Sequence, residues 1–147
     1  MDDIARENTV AALLVGEYVN DRLLVHEVFR RSGWRLFEAR DRRRAIECLE
    51  RNRVHVVIAE WDVPNWNWKK MLRDLRRLTH PPQLIVTSRT ADEYLWAEVL
   101  NVGGYDVLSQ PFERDEVERV IASARRHFDP QPMRAARQTA VRTANVA

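Results

Sequence analysis

With 147 residues, 45% of them hydrophobic and 31% charged, the chain suits one domain with a tail rather than two domains. No apolar run approaches the roughly 18–20 residues of a membrane span, Met1-Asp2-Asp3-Ile4 lacks the regions of a signal peptide, and the single cysteine, Cys48, excludes an internal disulfide. A net charge of +2, carried almost wholly by arginines whose clusters alternate with glutamates, reads as solvated helix faces and not as a nucleic-acid footprint. A reducing cytoplasm is the expected compartment. Cys48 itself reads as an ordinary residue of an amphipathic helix.

Residues 1–9 are polar and form an expected flexible N-terminal segment. Ala11-Ala12-Leu13-Leu14-Val15 reads as a buried strand stopped by Gly16-Glu17. Asn20 or Asp21 can cap a helix carrying Leu23, Leu24, Val28 and Phe29, which Ser32-Gly33 ends. A second strand follows at 34–39, then a helix capped by Asp41 with Ala45, Ile46 and Leu49 on one face. Residues 54–60, Val-His-Val-Val-Ile-Ala-Glu, form a third strand without alternation, as suits a strand covered on both faces. Trp61-Asp62-Val63-Pro64 closes it, and Asn65 or Asn67 opens a helix bearing Met71, Leu72, Leu75 and Leu78. After the break at His80-Pro81-Pro82 come a strand at 83–88 and a helix at about 91–101 closed by Gly103-Gly104. A fifth strand at 105–109 leads to Gln110-Pro111-Phe112 and a helix with Val117, Val120, Ile121 and Ala124 at i, i+3, i+4 and i+7. The domain thus spans 10–128, and the Arg-rich stretch 129–147 reads as a flexible tail.

Five strand–helix alternations predict parallel strands joined by right-handed crossovers, a three-layer α/β/α doubly wound sheet. In the strand order 2-1-3-4-5 the first and third strands flank the topological switch point, where ligands bind beyond the carboxyl ends. Gly16, Glu17, Glu60 and Trp61 gather there, with Thr87 and Ser88 from the fourth strand and Ser109 and Gln110 from the fifth.

From about residue 10 to 128 the chain resembles the receiver domain of two-component response regulators, whose fold is a flavodoxin-like (βα)5 sheet. The resemblance rests on Leu14-Val15-Gly16-Glu17, on Pro64 four residues after Glu60, and on Thr87, Gly103-Gly104 and Gln110-Pro111-Phe112 in that order and spacing. It implies a phosphoacceptor position at Glu60, acid-pocket positions at Gly16 and Glu17, and phosphate-contact positions at Thr87 and Gln110. It also implies a cis bond before Pro111, and a partner or dimer surface on the fourth helix, fifth strand and fifth helix that includes Trp96 and Val107.

The departures from the family pattern decide the expected chemistry. The family uses an acid where Gly16 stands, an Asp where Glu60 stands and a Lys where Gln110 stands. Glu60 carries its carboxylate one methylene too far out, about 1.5 Å, and a misplacement of that order lowers a rate about a hundredfold. Without an acid at Gly16 a Mg²⁺ site from Glu17, Glu60 and Asp62 is weakened, because Mg²⁺ demands near-octahedral oxygen geometry. Gln110 cannot neutralise a phosphoryl dianion. The expectation is a non-enzymatic pseudo-receiver with no cofactor, signalling through protein contacts with a histidine kinase, a downstream effector or a second copy. Glu60 is either a fixed imitation of the phosphorylated state, with Thr87 and Gln110 as donors, or an acid facing water. The alternative is an active receiver that takes a phosphoryl group on Glu60 or Asp62 with Mg²⁺. Trp61, Trp66 and Trp68 are expected to crowd the loop over the site, as a lid or a binding patch.

Overall fold

The computed structural model describes residues 9–130, so most of the expected N-terminal segment and Arg-rich tail lie outside the described residues. In chain order the elements are β1 (Ala11–Val15), α1 (Arg22–Ser32), β2 (Arg35–Ala39), α2 (Arg42–Arg51), β3 (Val56–Glu60), β4 (Asp62–Val63), β5 (Trp66–Asn67), α3 (Trp68–Arg76), β6 (Gln83–Ser88), α4 (Glu93–Val102), β7 (Asp106–Ser109) and α5 (Arg114–Arg126). Five strands pair in parallel in the order β2-β1-β3-β6-β7, which is the expected 2-1-3-4-5 once the separate β4–β5 hairpin is set aside.

Successive side chains of a strand point to opposite faces, so each central strand feeds two cores. Leu13, Val15, Val57, Ala59, Leu84 and Val86 face α2, α3 and α4, where they meet Ala45, Leu49, Met71, Leu75 and Val99. Ala12, Leu14, Val56, Ile58 and Ile85 face α1 and α5, against Val25, Val28, Phe29, Val117, Val120 and Ile121. Fully burying a side chain of the Val, Leu or Ile type contributes about 1.5–3 kcal/mol, so these two layers fix the strand ends that carry the site.

Helix starts follow local chemistry. Asp41, Asn67 and Asp92 each accept from a backbone N–H three residues on, at 2.9, 3.0 and 2.9 Å, satisfying a donor the helix leaves free and contributing about 1 kcal/mol apiece. The start of α1 departs from expectation. Asp21 precedes the helix, yet its side chain makes no cap bond. Leu23, expected among the packed residues, is 80% exposed, and Val25 is buried instead.

The β4–β5 hairpin was not visible in the strand–helix pattern. Pro64 and Asn65 form its turn, and Asn65 takes φ 62°, the arrangement of a type II turn. The hairpin turns Trp66 and Trp68 into the core with Met71, Leu72 and Leu75. The Trp66 indole N–H also donates to Asp74 Oδ2 at 2.8 Å. The expectation that three tryptophans crowd the site therefore holds for Trp61 alone. Among the described residues no helix is long and apolar enough to cross a membrane.

Candidate functional site

The β3 strand ends at Glu60, in register with Thr87 of β6, and the chain leaving β1 passes beside it. Gly16 takes φ 131°, a region that L side chains rarely adopt. A Cβ there would lie 2.5 Å from Glu60 Oε1, 2.7 Å from its Cδ and 2.8 Å from its Cγ. The Glu60 side chain thus fills the space that a side chain at position 16 would need. Its Oε1 accepts from the backbone N–H groups of Glu17 at 2.8 Å and Tyr18 at 3.2 Å. Consecutive backbone donors around one oxygen form an anion-holding concavity. Glu60 is therefore a bound carboxylate, and the reading of it as an acid merely facing water is corrected.

Tyr18 completes the enclosure. It is one of two non-glycine residues at positive φ, 48°, among the described residues. Such a conformation costs about 1–3 kcal/mol and persists only where surrounding contacts hold it. Here the side chain is 2% exposed and its ring stands 5.8 Å from that of Phe112. Its hydroxyl pairs with Thr87 Oγ1 at 2.7 Å. Burial pushes the phenol well above its ordinary pKa; the Thr87 bond opposes this, and the charges of Glu60 and Asp21 add to it. The hydroxyl accordingly remains protonated through the neutral range.

Gln110 bonds to Asp21 and not to Glu60. Its Nε2 donates to Asp21 Oδ2 at 2.9 Å, and the Phe112 backbone N–H donates to Asp21 Oδ1 at 3.0 Å. The peptide bond between Gln110 and Pro111 is cis. Asp21 is only 5% exposed, which explains why it does not serve as a helix cap. The expectation that Thr87 and Gln110 donate to the Glu60 carboxylate is corrected: each has another partner, and backbone amides do the holding.

An open cavity of about 390 Å³ remains above this network, lined by Glu17, Tyr18, Val19, Glu60, Trp61, Thr87, Ser88, Arg89, Thr90 and Gln110. Trp61, 48% exposed, is the tryptophan that reaches it. Asp62 is exposed on the hairpin opposite Asn67 and lies outside the lining. Nor do Glu17, Glu60 and Asp62 converge: among the described residues no three His, Cys, Asp or Glu side chains are grouped to hold a metal. With Gly16 bare and one oxygen of Glu60 committed to amides, the residues present do not fit a Mg²⁺ ion. Away from the cavity, Trp96 on α4 is 51% exposed and its indole N–H donates to Asp106 Oδ1 at 3.3 Å. Val107 is half-buried against the core.

Reading the sequence missed Tyr18 and Asp21. A Tyr two residues after a glycine in a loop, and an Asp ahead of a helix, have ordinary local readings, and only the tertiary fold turns them inward.

Comparison with known proteins agrees with this architecture. The family model described as the response regulator receiver domain matches residues 13–122. The sporulation initiation phosphotransferase F of Bacillus subtilis (strain 168) is 20% identical over 109 residues, 74% of this chain and 88% of that protein. The uncharacterized transcriptional regulatory protein YrkP of the same organism is 30% identical over 107 residues, 71% of this chain but 45% of YrkP. Among solved structures, a response regulator from Thermotoga maritima superposes with TM-score 0.70 at 18% identity, covering 79% of this chain and 97% of that one. A co-crystal structure of the Saccharomyces cerevisiae histidine phosphotransfer signaling protein Ypd1 with the receiver domain of Ssk1 gives 0.66 at 14% identity, covering 86% and 98%. The chain belongs to the response regulator receiver domain family.

Proposed function

We propose that this receiver domain signals without accepting a phosphoryl group, by presenting one fixed conformation to protein partners. The observation that carries the reading is the seat of Glu60: its side chain fills the space beside Gly16 and its Oε1 is held by two backbone amides. An attacking carboxylate needs a free oxygen aligned with the donor at about 3–3.5 Å, and a cation beside it to offset charge. Glu60 has one oxygen committed and no acid at position 16. The Tyr18–Thr87 pair and the Gln110–Asp21 pair take the groups that would otherwise contact a phosphoryl oxygen.

The partner class follows from family membership: a histidine kinase, a phosphotransfer protein or a downstream effector. The surface we assign to such contacts is α4 with β7 and α5. On α4 only Val99 is buried, while Tyr94 is 86% and Val102 41% exposed beside Trp96. Exposed aromatic side chains of this kind are enriched at protein interfaces, and a second copy of the chain is the simplest occupant. The active-receiver alternative, phosphorylation of Glu60 with Mg²⁺, makes the opposite prediction in one experiment. Titration with Mg²⁺ and beryllofluoride, followed by fluorescence with Trp61 as the reporter at the cavity, is expected to give no saturable change. A saturable change that requires both reagents and disappears in Trp61→Phe supports the active receiver instead.

A further inference from the structure

The opposite end of the sheet holds a second cavity, about 530 Å³, between the carboxyl ends of α2 and α3. Arg51, Arg53, Arg77 and His80 line it, with Glu50 as its one carboxylate. Among the described residues none of these three arginines is in a salt bridge, although Arg22, Arg42, Arg43, Arg44 and Arg114 all are. Asp74 is already bonded to Arg42 at 3.0 Å and to Trp66 at 2.8 Å; burial raises its carboxyl, but these two bonds, then the charges of Arg42 and Arg77, hold it below the usual range. Two helix carboxyl ends contribute about half a negative charge each. With Glu50 counted as well, the three guanidiniums still leave the cleft positive.

His80 adds a second feature. Arg53 Nη2 lies 3.0 Å from His80 Nε2, and an arginine can only donate, so Nε2 accepts and the ring proton sits on Nδ1. That Nδ1 is buried with no hydrogen-bond partner. Nε2 takes a single guanidinium N–H of Arg53 and leaves that side chain's remaining donors for a ligand.

We propose that this cleft binds a compact phosphate-bearing anion, held by Arg51, Arg53 and Arg77. Guanidinium groups match phosphate oxygens in paired hydrogen bonds, and roughly twofold stronger charge-assisted bonds result. A small anion fits better than a nucleic-acid strand, because the three guanidiniums line one cleft and are not spread along a face.

The test is titration of the isotope-labelled full chain with inorganic pyrophosphate at constant ionic strength, read by NMR. Saturable shifts are expected at the amides of residues 51–54 and 77–80, with a Kd of about a millimolar or tighter. The double variant Arg53→Gln/Arg77→Gln is expected to weaken the Kd by about tenfold or more, and Arg30→Gln on α1, which removes the same charge elsewhere, to leave it unchanged. Both arginines are exposed, and an unchanged thermal midpoint confirms that the variant folds. No saturable shift, or shifts that persist in the double variant, overturns the proposal. So does duplex DNA that displaces pyrophosphate from the same amides, which reassigns the cleft to nucleic acid.

Discussion

The Gly16→Ala substitution probes the seat of Glu60 most sharply. An added Cβ meets Glu60 Oε1, Cδ and Cγ at 2.5, 2.7 and 2.8 Å, so no small rotation of the carboxylate relieves it and the outer side chain must leave. Its departure removes a charged acceptor from the Glu17 and Tyr18 amides. Hydrogen bonds to charged groups contribute about 1.5–3 kcal/mol each, reduced here because the Glu17 contact is exposed and water replaces the carboxylate. We place this part at about 1–2 kcal/mol. The φ of 131° adds a backbone cost of about 1–3 kcal/mol for any side chain. Gly16→Ala therefore destabilises by about 2–5 kcal/mol in the natural background, and by only the backbone part when Glu60 is already Ala. Urea denaturation of the four proteins of this double-mutant cycle measures an interaction energy expected near 1–2 kcal/mol. If Gly16→Ala costs the same in both backgrounds within about 0.3 kcal/mol, the steric and electrostatic coupling is refuted.

Tyr18→Phe leaves the buried Thr87 hydroxyl unpaired and should destabilise by about 1–2 kcal/mol, while Tyr18→Phe with Thr87→Val should cost less than the sum of the two. Asp21→Ala strips acceptors from Gln110 Nε2 and the Phe112 amide; about 2–4 kcal/mol should be lost, whereas a mere helix cap would give about 1. His55 predicts a pH dependence. Burial first, then the charges of Arg125 and Arg53, lower its pKa from 6.5 to about 4, and its Nδ1 accepts from the Ala11 N–H at 3.0 Å. A depressed histidine pKa means the neutral form belongs to the fold, so this contribution is complete above pH 6.5 and is lost as pH falls toward 4. Discounted for a half-exposed ring, the loss is about 1–2 kcal/mol, and urea midpoints across that window should flatten in His55→Ala.

The sheet was legible because it is encoded locally. Runs such as 11–15 and 56–60 lack alternation, and the caps Asp41 and Asn67 act on the amides three residues ahead. The positions of Glu60, Thr87 and Gln110 at strand ends followed from the topology. What each side chain touches did not. The turn at Asn65 sends Trp66 and Trp68 into the core, and the positive φ at Tyr18 turns its ring inward onto Thr87. Both depend on contacts between residues far apart in the chain. One signal was available: a glycine at position 16 leaves room beside it for a side chain as long as that of Glu60.

A Glu60 carboxylate already bound by its own backbone is expected not to take a phosphoryl group. The decisive measurement is intact mass, taken under mild conditions at once after incubation of the chain with acetyl phosphate and Mg²⁺. The expected result is an unchanged mass. A gain of one phosphoryl group that disappears in Glu60→Gln would overturn the bound-carboxylate reading.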